Sequence, residues 1–87
     1  MHKQWDVRLS FDEDGTHTSC QASLIGQGAP GLAGHGQAER STQDRPVSRI
    51  GEELAAARAL GALAEQLRDQ AAGEVDRESH RVGYLMY

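Results

Sequence analysis

The sequence predicts an α+β domain, a three-stranded antiparallel sheet (β-β-β) followed by a long amphipathic helix and a short C-terminal helix or segment. Three patterns carry that expectation. Large apolar residues alternate with polar ones from Gln4 to Phe11, small residues alternate from Leu32 to Arg40, and apolar residues recur at three- and four-residue steps from Ile50 to Ala71. A period of two belongs to strands and a period near 3.6 to a helix.

The first strand is expected over about 3–11, with Trp5, Val7, Leu9 and Phe11 on one face and Gln4, Asp6, Arg8 and Ser10 on the other. Asp12-Glu13-Asp14-Gly15 supplies turn chemistry, with Asp14-Gly15 suited to the positive φ angles of a tight hairpin. A second strand then fits residues 16–25, placing Thr18, Cys20, Ala22 and Leu24 inward. Gly26 to Gly31 reads as a loop, because Gly and Pro do not propagate a ladder without cost. The third strand is expected over 32–40. Its stripe of Gly34, Gly36 and Ala38 would let a helix backbone approach the sheet closely.

Ser41 to Pro46 is a polar linker, and the helix is expected to start near Ser48, a good N-cap. Ile50, Leu54, Ala57, Leu60, Ala64, Leu67 and Ala71 define its expected inner stripe, ending near Ala72 with Gly73 as a left-handed cap. Ala55, Ala56, Ala59, Ala62 and Leu63 flank that stripe and imply a second contact surface, read here as a subunit interface. Residues 74–87 complete the domain, with Glu74 to His80 as a possible short helix. Val82, Tyr84, Leu85 and Tyr87 are too apolar for a solvated tail and should dock on the sheet or on a neighbouring subunit.

An 87-residue chain is one domain, and four aromatics give it little material for a self-sufficient core, which points to oligomerisation. The net charge of −4 argues against broad attraction to phosphate backbones. A single cysteine excludes an intrachain disulfide and a thiolate-rich zinc site, and suits the cytoplasm. No apolar run is long enough to span a bilayer, so no membrane partner is expected.

The stretch Arg45-Pro46-Val47-Ser48-Arg49-Ile50-Gly51-Glu52-Glu53-Leu54-Ala55-Ala56-Ala57-Arg58-Ala59-Leu60 resembles the signature segment of a small actinobacterial family of domains of unknown function. Trp5-Asp6-Val7, the Gly34-x-Gly36-x-Ala38 stripe and the segment from Glu74 to His80 resemble that family in the same order. The resemblance implies a dsRBD-like fold, similar to double-stranded RNA-binding domains, built as an intertwined homodimer and similar to ribosome hibernation factors. It supplies no catalytic residues.

Gly26-x-Gly28-x-x-Gly31 matches the dinucleotide fingerprint in form only, since that motif must open a helix and here Pro30 and further glycine follow. Cys20 faces inward without an obvious base, and His2, His17, His35 and His80 lack the close spacing of a metal site. No cofactor is expected. Arg40, Arg45 and Arg49 gather around the helix start, where backbone N–H groups and the dipole favour an anion, although Glu39, Asp44, Glu52 and Glu53 offset them.

These residues point to a non-enzymatic cytoplasmic binding protein. Its partners would be itself, through Ala56, Ala59, Leu63, Tyr84, Leu85 and Tyr87, and a ribosome or structured RNA met in a stress response, through Arg40, Arg45 and Arg49. The alternative is a dimeric protein–protein interaction or scaffold module without nucleic-acid binding.

Overall fold

A computed structural model describes residues 1–40 and 48–82, and the element order is β1 (Trp5–Asp14), β2 (His17–Gly26), β3 (Ala33–Glu39) and α1 (Ser48–Val82). The expectations placed on Arg45, Tyr84, Leu85 and Tyr87 lie outside the described residues. The three strands form one antiparallel sheet in the order β1-β2-β3, and α1 lies across β2 and β3.

The β1–β2 hairpin closes one residue later than the sequence suggests. Asp14 pairs with His17, so Gly15 and Thr16 form the two-residue loop. Gly15 has φ +64° and Thr16 does not adopt a positive φ, the pattern of a type II′ turn, whose twist matches that of the strands. The ladder continues without a bulge to Trp5 opposite Gly26.

Ladder parity decides which backbone groups are used. The Leu24 amide donates to the Leu32 carbonyl at 3.1 Å and the Arg40 amide to the Thr16 carbonyl at 3.0 Å. Every second pair of an antiparallel ladder is hydrogen-bonded, so even-numbered β2 residues turn their backbone to β3 and odd-numbered ones turn theirs to β1. In β1 the backbones of Asp6, Arg8, Ser10 and Asp12 therefore face β2. Those of Trp5, Val7, Leu9 and Phe11 face the outer edge. On β3 the outward carbonyls of Gln37 and Ala33 accept hydrogen bonds from α1, from Arg58 Nη1 at 2.6 Å and Gln66 Nε2 at 2.7 Å.

The core is made mostly of small side chains: Cys20, Ala22 and Ala38 of the sheet meet Ala55 and Ala59 of the helix, with Leu63 its one large member. A methyl group placed on Gly34 would collide with the Ala59 carbonyl oxygen and the Leu63 amide nitrogen. One on Gly36 would collide with the Ala59 amide and the Ala55 carbonyl, and would lie 2.8 Å from the Arg58 carbonyl carbon. The glycine stripe serves the close approach that the sequence suggests.

Two helix expectations are corrected. The N-terminal part of the expected inner stripe faces out, with Ile50, Leu54 and Leu60 exposed, although Leu67 packs against the core and Ala64 is half-buried as expected. The set expected to meet a subunit packs on the sheet, with Ala55, Ala59 and Leu63 buried and Ala56 half-buried. A sheet floored with glycine and alanine admits a helix closely only through its smallest side chains, so the alanine seam displaces the leucines. Ala59 and Leu63 are thus taken up by the chain's own core and are not available to a partner. Nor does α1 stop at Gly73. It runs 35 residues in all, through Gly73 to Val82, and Gly73 is not among the glycines with positive φ. The expected short helix from Glu74 belongs to the same α1, in which Glu74, Asp76 and Arg77 are exposed.

Candidate functional site

Opposite each large β1 residue the register sets a β2 partner on the same face: Trp5 against Gly26, Val7 against Leu24, Leu9 against Ala22 and Phe11 against Cys20. This is the face on which α1 lies, yet the helix covers only its β2 and β3 columns. Trp5, Val7, Leu9 and Phe11 remain 43, 44, 37 and 40% exposed. Four large apolar side chains in one row along an uncovered strand form a contiguous patch, unlike scattered surface apolar residues that need no explanation.

At one end the row runs into a cleft of about 390 Å³ between Trp5, Pro30, Leu67 and Ala71. The Gly-rich loop holds this end in place: the Trp5 indole N–H donates to the Gln27 carbonyl at 3.1 Å. Gly26 (φ +147°) and Gly28 (φ +74°) adopt conformations that residues with side chains rarely take, and a Cβ on Gly26 would meet the indole at 2.8 Å. The loop connects two strands, so it opens no helix and has no phosphate-binding geometry. The outer helix stripe adds Ile50, Leu54 and Leu60, exposed by 54, 45 and 41%.

The other sheet face is mostly polar, and no helix among the described residues lies on it. Its rows read Asp14-His17-Glu39, Asp12-Ser19-Gln37 and Ser10-Gln21-His35. His17 and His35 lie two rows apart and do not form a pair. Among the described residues no three His, Cys, Asp or Glu side chains gather as metal ligands. Cys20 is 3% exposed, and loss of hydration raises its thiol above the ordinary range, with a smaller opposing effect from the Ser10 backbone. It is a buried residue of the core.

Of the expected anion-binding arginines, Arg40 follows β3 and is half-buried, and Arg49 stands on the first turn of α1. Arg49 Nε lies 3.5 Å from Glu53 Oε1, with both side chains largely in solvent. Such exposed pairs contribute little to stability. Arg49 is thus partly neutralised by the neighbour that the sequence sets beside it. No helix among the described residues is long and apolar enough to cross a membrane.

The sequence matches an established protein family over residues 3–83. The chain belongs to the Rv2632c-like family. The crystal structure of Rv2632c superimposes with a TM-score of 0.83 at 31% identity, covering 92% of this chain and 94% of that one. By sequence, uncharacterised protein Rv2632c of Mycobacterium tuberculosis is 33% identical over 78 residues, 90% of this chain and 81% of the relative. Uncharacterised protein Mb1767 of Mycobacterium bovis is 32% identical over 85 residues, 98% and 89% of the two chains. The actinobacterial family of unknown function expected from the sequence is thereby shown, and both of these mycobacterial relatives are uncharacterised proteins.

Sequence reading of this Rv2632c-like chain located the β1 row but not its exposure. The missed signal is the mismatch of side-chain size: large residues on β1, glycine and alanine on β3. A helix that approaches the small columns closely leaves the large column uncovered.

Proposed function

We propose that this Rv2632c-like protein is a cytoplasmic, homodimeric protein-interaction module that acts by binding and performs no reaction. The observation that carries this reading is the uncovered row Trp5, Val7, Leu9 and Phe11 on the helix-bearing face of the sheet. Trp5 is the only tryptophan and stands in that row, so it reports directly on the surface. Light scattering at micromolar concentration should give twice the 9.4 kDa protomer mass, with Trp5 fluorescence shielded from acrylamide as the dimer forms. A monomer with freely quenched Trp5 would refute the reading.

A second reading follows from the arginines and from the dsRBD-like resemblance: a stress-related factor that associates with ribosomes or structured RNA. Arg49 on the first turn of α1 supports it, because cations there meet the anion preference of the helix start. Counterion release makes such binding fall steeply with salt. Co-sedimentation with ribosomes should then decline as salt rises and weaken in Arg45→Glu with Arg49→Glu. No pelleting at low salt would end this reading.

A further inference from the structure

We infer that β1 is the dimer seam, joining edge to edge with β1 of a second copy to make one continuous six-stranded sheet; the inference rests on the homodimeric reading above. Three observations point to a second copy as the occupant.

The two edges of the sheet are treated differently. On β3, Arg58 and Gln66 of α1 cover the outward carbonyls of Gln37 and Ala33. On β1, a ten-residue strand without proline, lysine or bulge, hydrogen bonds among the described residues run only to β2 on the backbone side. Proteins usually blunt an open edge with such features; β1 carries only charged side chains, Arg8 with Asp6, Asp12, Glu13 and Asp14, and its open backbone edge remains a template for a strand whose charges complement them. Second, the residues whose backbone groups face outward are the same ones that form the apolar row. Antiparallel partners in a hydrogen-bonded pair share a face, so pairing two β1 edges brings the two apolar rows together on one face of the joined sheet.

Third, the charges on the solvated face complement each other under a two-fold axis. With the axis through Ser10, Leu9 lies opposite Phe11 of the partner subunit, Arg8 opposite Asp12 of the partner subunit and Val7 opposite Glu13 of the partner subunit at the margin of the apolar row, each contact occurring twice. Asp6 and Asp14 meet at the ends of the seam, where solvent screens their repulsion.

The test is the oligomeric state of the full chain by sedimentation equilibrium over the micromolar range, with circular dichroism as the check on folding. Leu9→Lys places a charge within the apolar row and should give a folded monomer. Arg8→Glu changes only the solvated face and turns two favourable cross-strand pairs into repulsive ones, weakening the dimer about tenfold. Adding Asp12→Arg to Arg8→Glu restores complementarity and should recover most of that loss. A wild-type dimer that survives Leu9→Lys in folded form, or that is indifferent to Arg8→Glu, would overturn the β1 seam while leaving the homodimeric reading standing. If Leu9→Lys fails to fold, the Arg8 pair of variants decides. A wild-type monomer throughout would overturn both.

Discussion

Replacing Gly36 with alanine adds one methyl group, and the structure assigns it an unusually large cost. The new carbon would sit inside contact distance of the Ala59 amide, the Ala55 carbonyl and the Arg58 carbonyl carbon, all backbone atoms of α1. No side chain can rotate away, so helix and strand must separate by about 1 Å before ordinary carbon contact distances return. Overpacking costs about 1–3 kcal/mol, and rigid backbone on both sides puts this site at about 3 kcal/mol. For a domain of this size about 1 kcal/mol corresponds to roughly 4–8 °C, so Tm should fall by about 12–24 °C. Gly61→Ala supplies the internal control, because its added Cβ meets nothing within 4 Å and the residue lies on an exposed helix face. There the same substitution removes helix-disfavouring glycine and should raise stability by about 0.8–1 kcal/mol. Thermal unfolding followed by circular dichroism, at one fixed protomer concentration, measures both. A Gly36→Ala protein with Tm at or above wild type would refute the close helix–sheet seam.

Gly73→Ala tests the continuity of α1. An uninterrupted helix gains about 1 kcal/mol from the change, whereas a left-handed cap would lose stability, and thermal melting reads the sign. Cys20 makes stability depend on alkaline pH. Burial raises its folded-state thiol above the value in the unfolded chain, so the unfolded state loses the proton first. Its neutral form costs nothing at neutral pH, and stability should fall as pH climbs past the ordinary thiol range near ~8.5, a decline that Cys20→Ala removes in urea titrations.

Strand positions were legible because alternation is a local property: Trp5 to Phe11 and Gly34 to Ala38 declare their faces without reference to any partner. The close approach was legible too, since a glycine stripe on a strand has few other uses. Helix orientation was not. Periodicity weighs Leu54 and Leu60 above Ala55 and Ala59, whereas the sheet selects for smallness, and that preference arises only once β2 and β3 are paired. Gly73 misled for a related reason: glycine ends a helix only where the chain has cause to turn, and α1 runs on past the sheet. The arginines near the helix start were read as a charge cluster, but Arg49 also has Glu53 four residues on, within ion-pair reach on the same helix face.

A seam of glycine and alanine also alters how the fold acquires order. Leucine or methionine loses rotamer freedom when buried, whereas glycine and alanine have none to lose. At Ala22, Gly34, Gly36, Ala55 and Ala59, backbone therefore settles against backbone with no side-chain entropy surrendered. The specificity of this core resides in the shape of the main chain, so there is no alternative rotamer through which an error at the seam could relax.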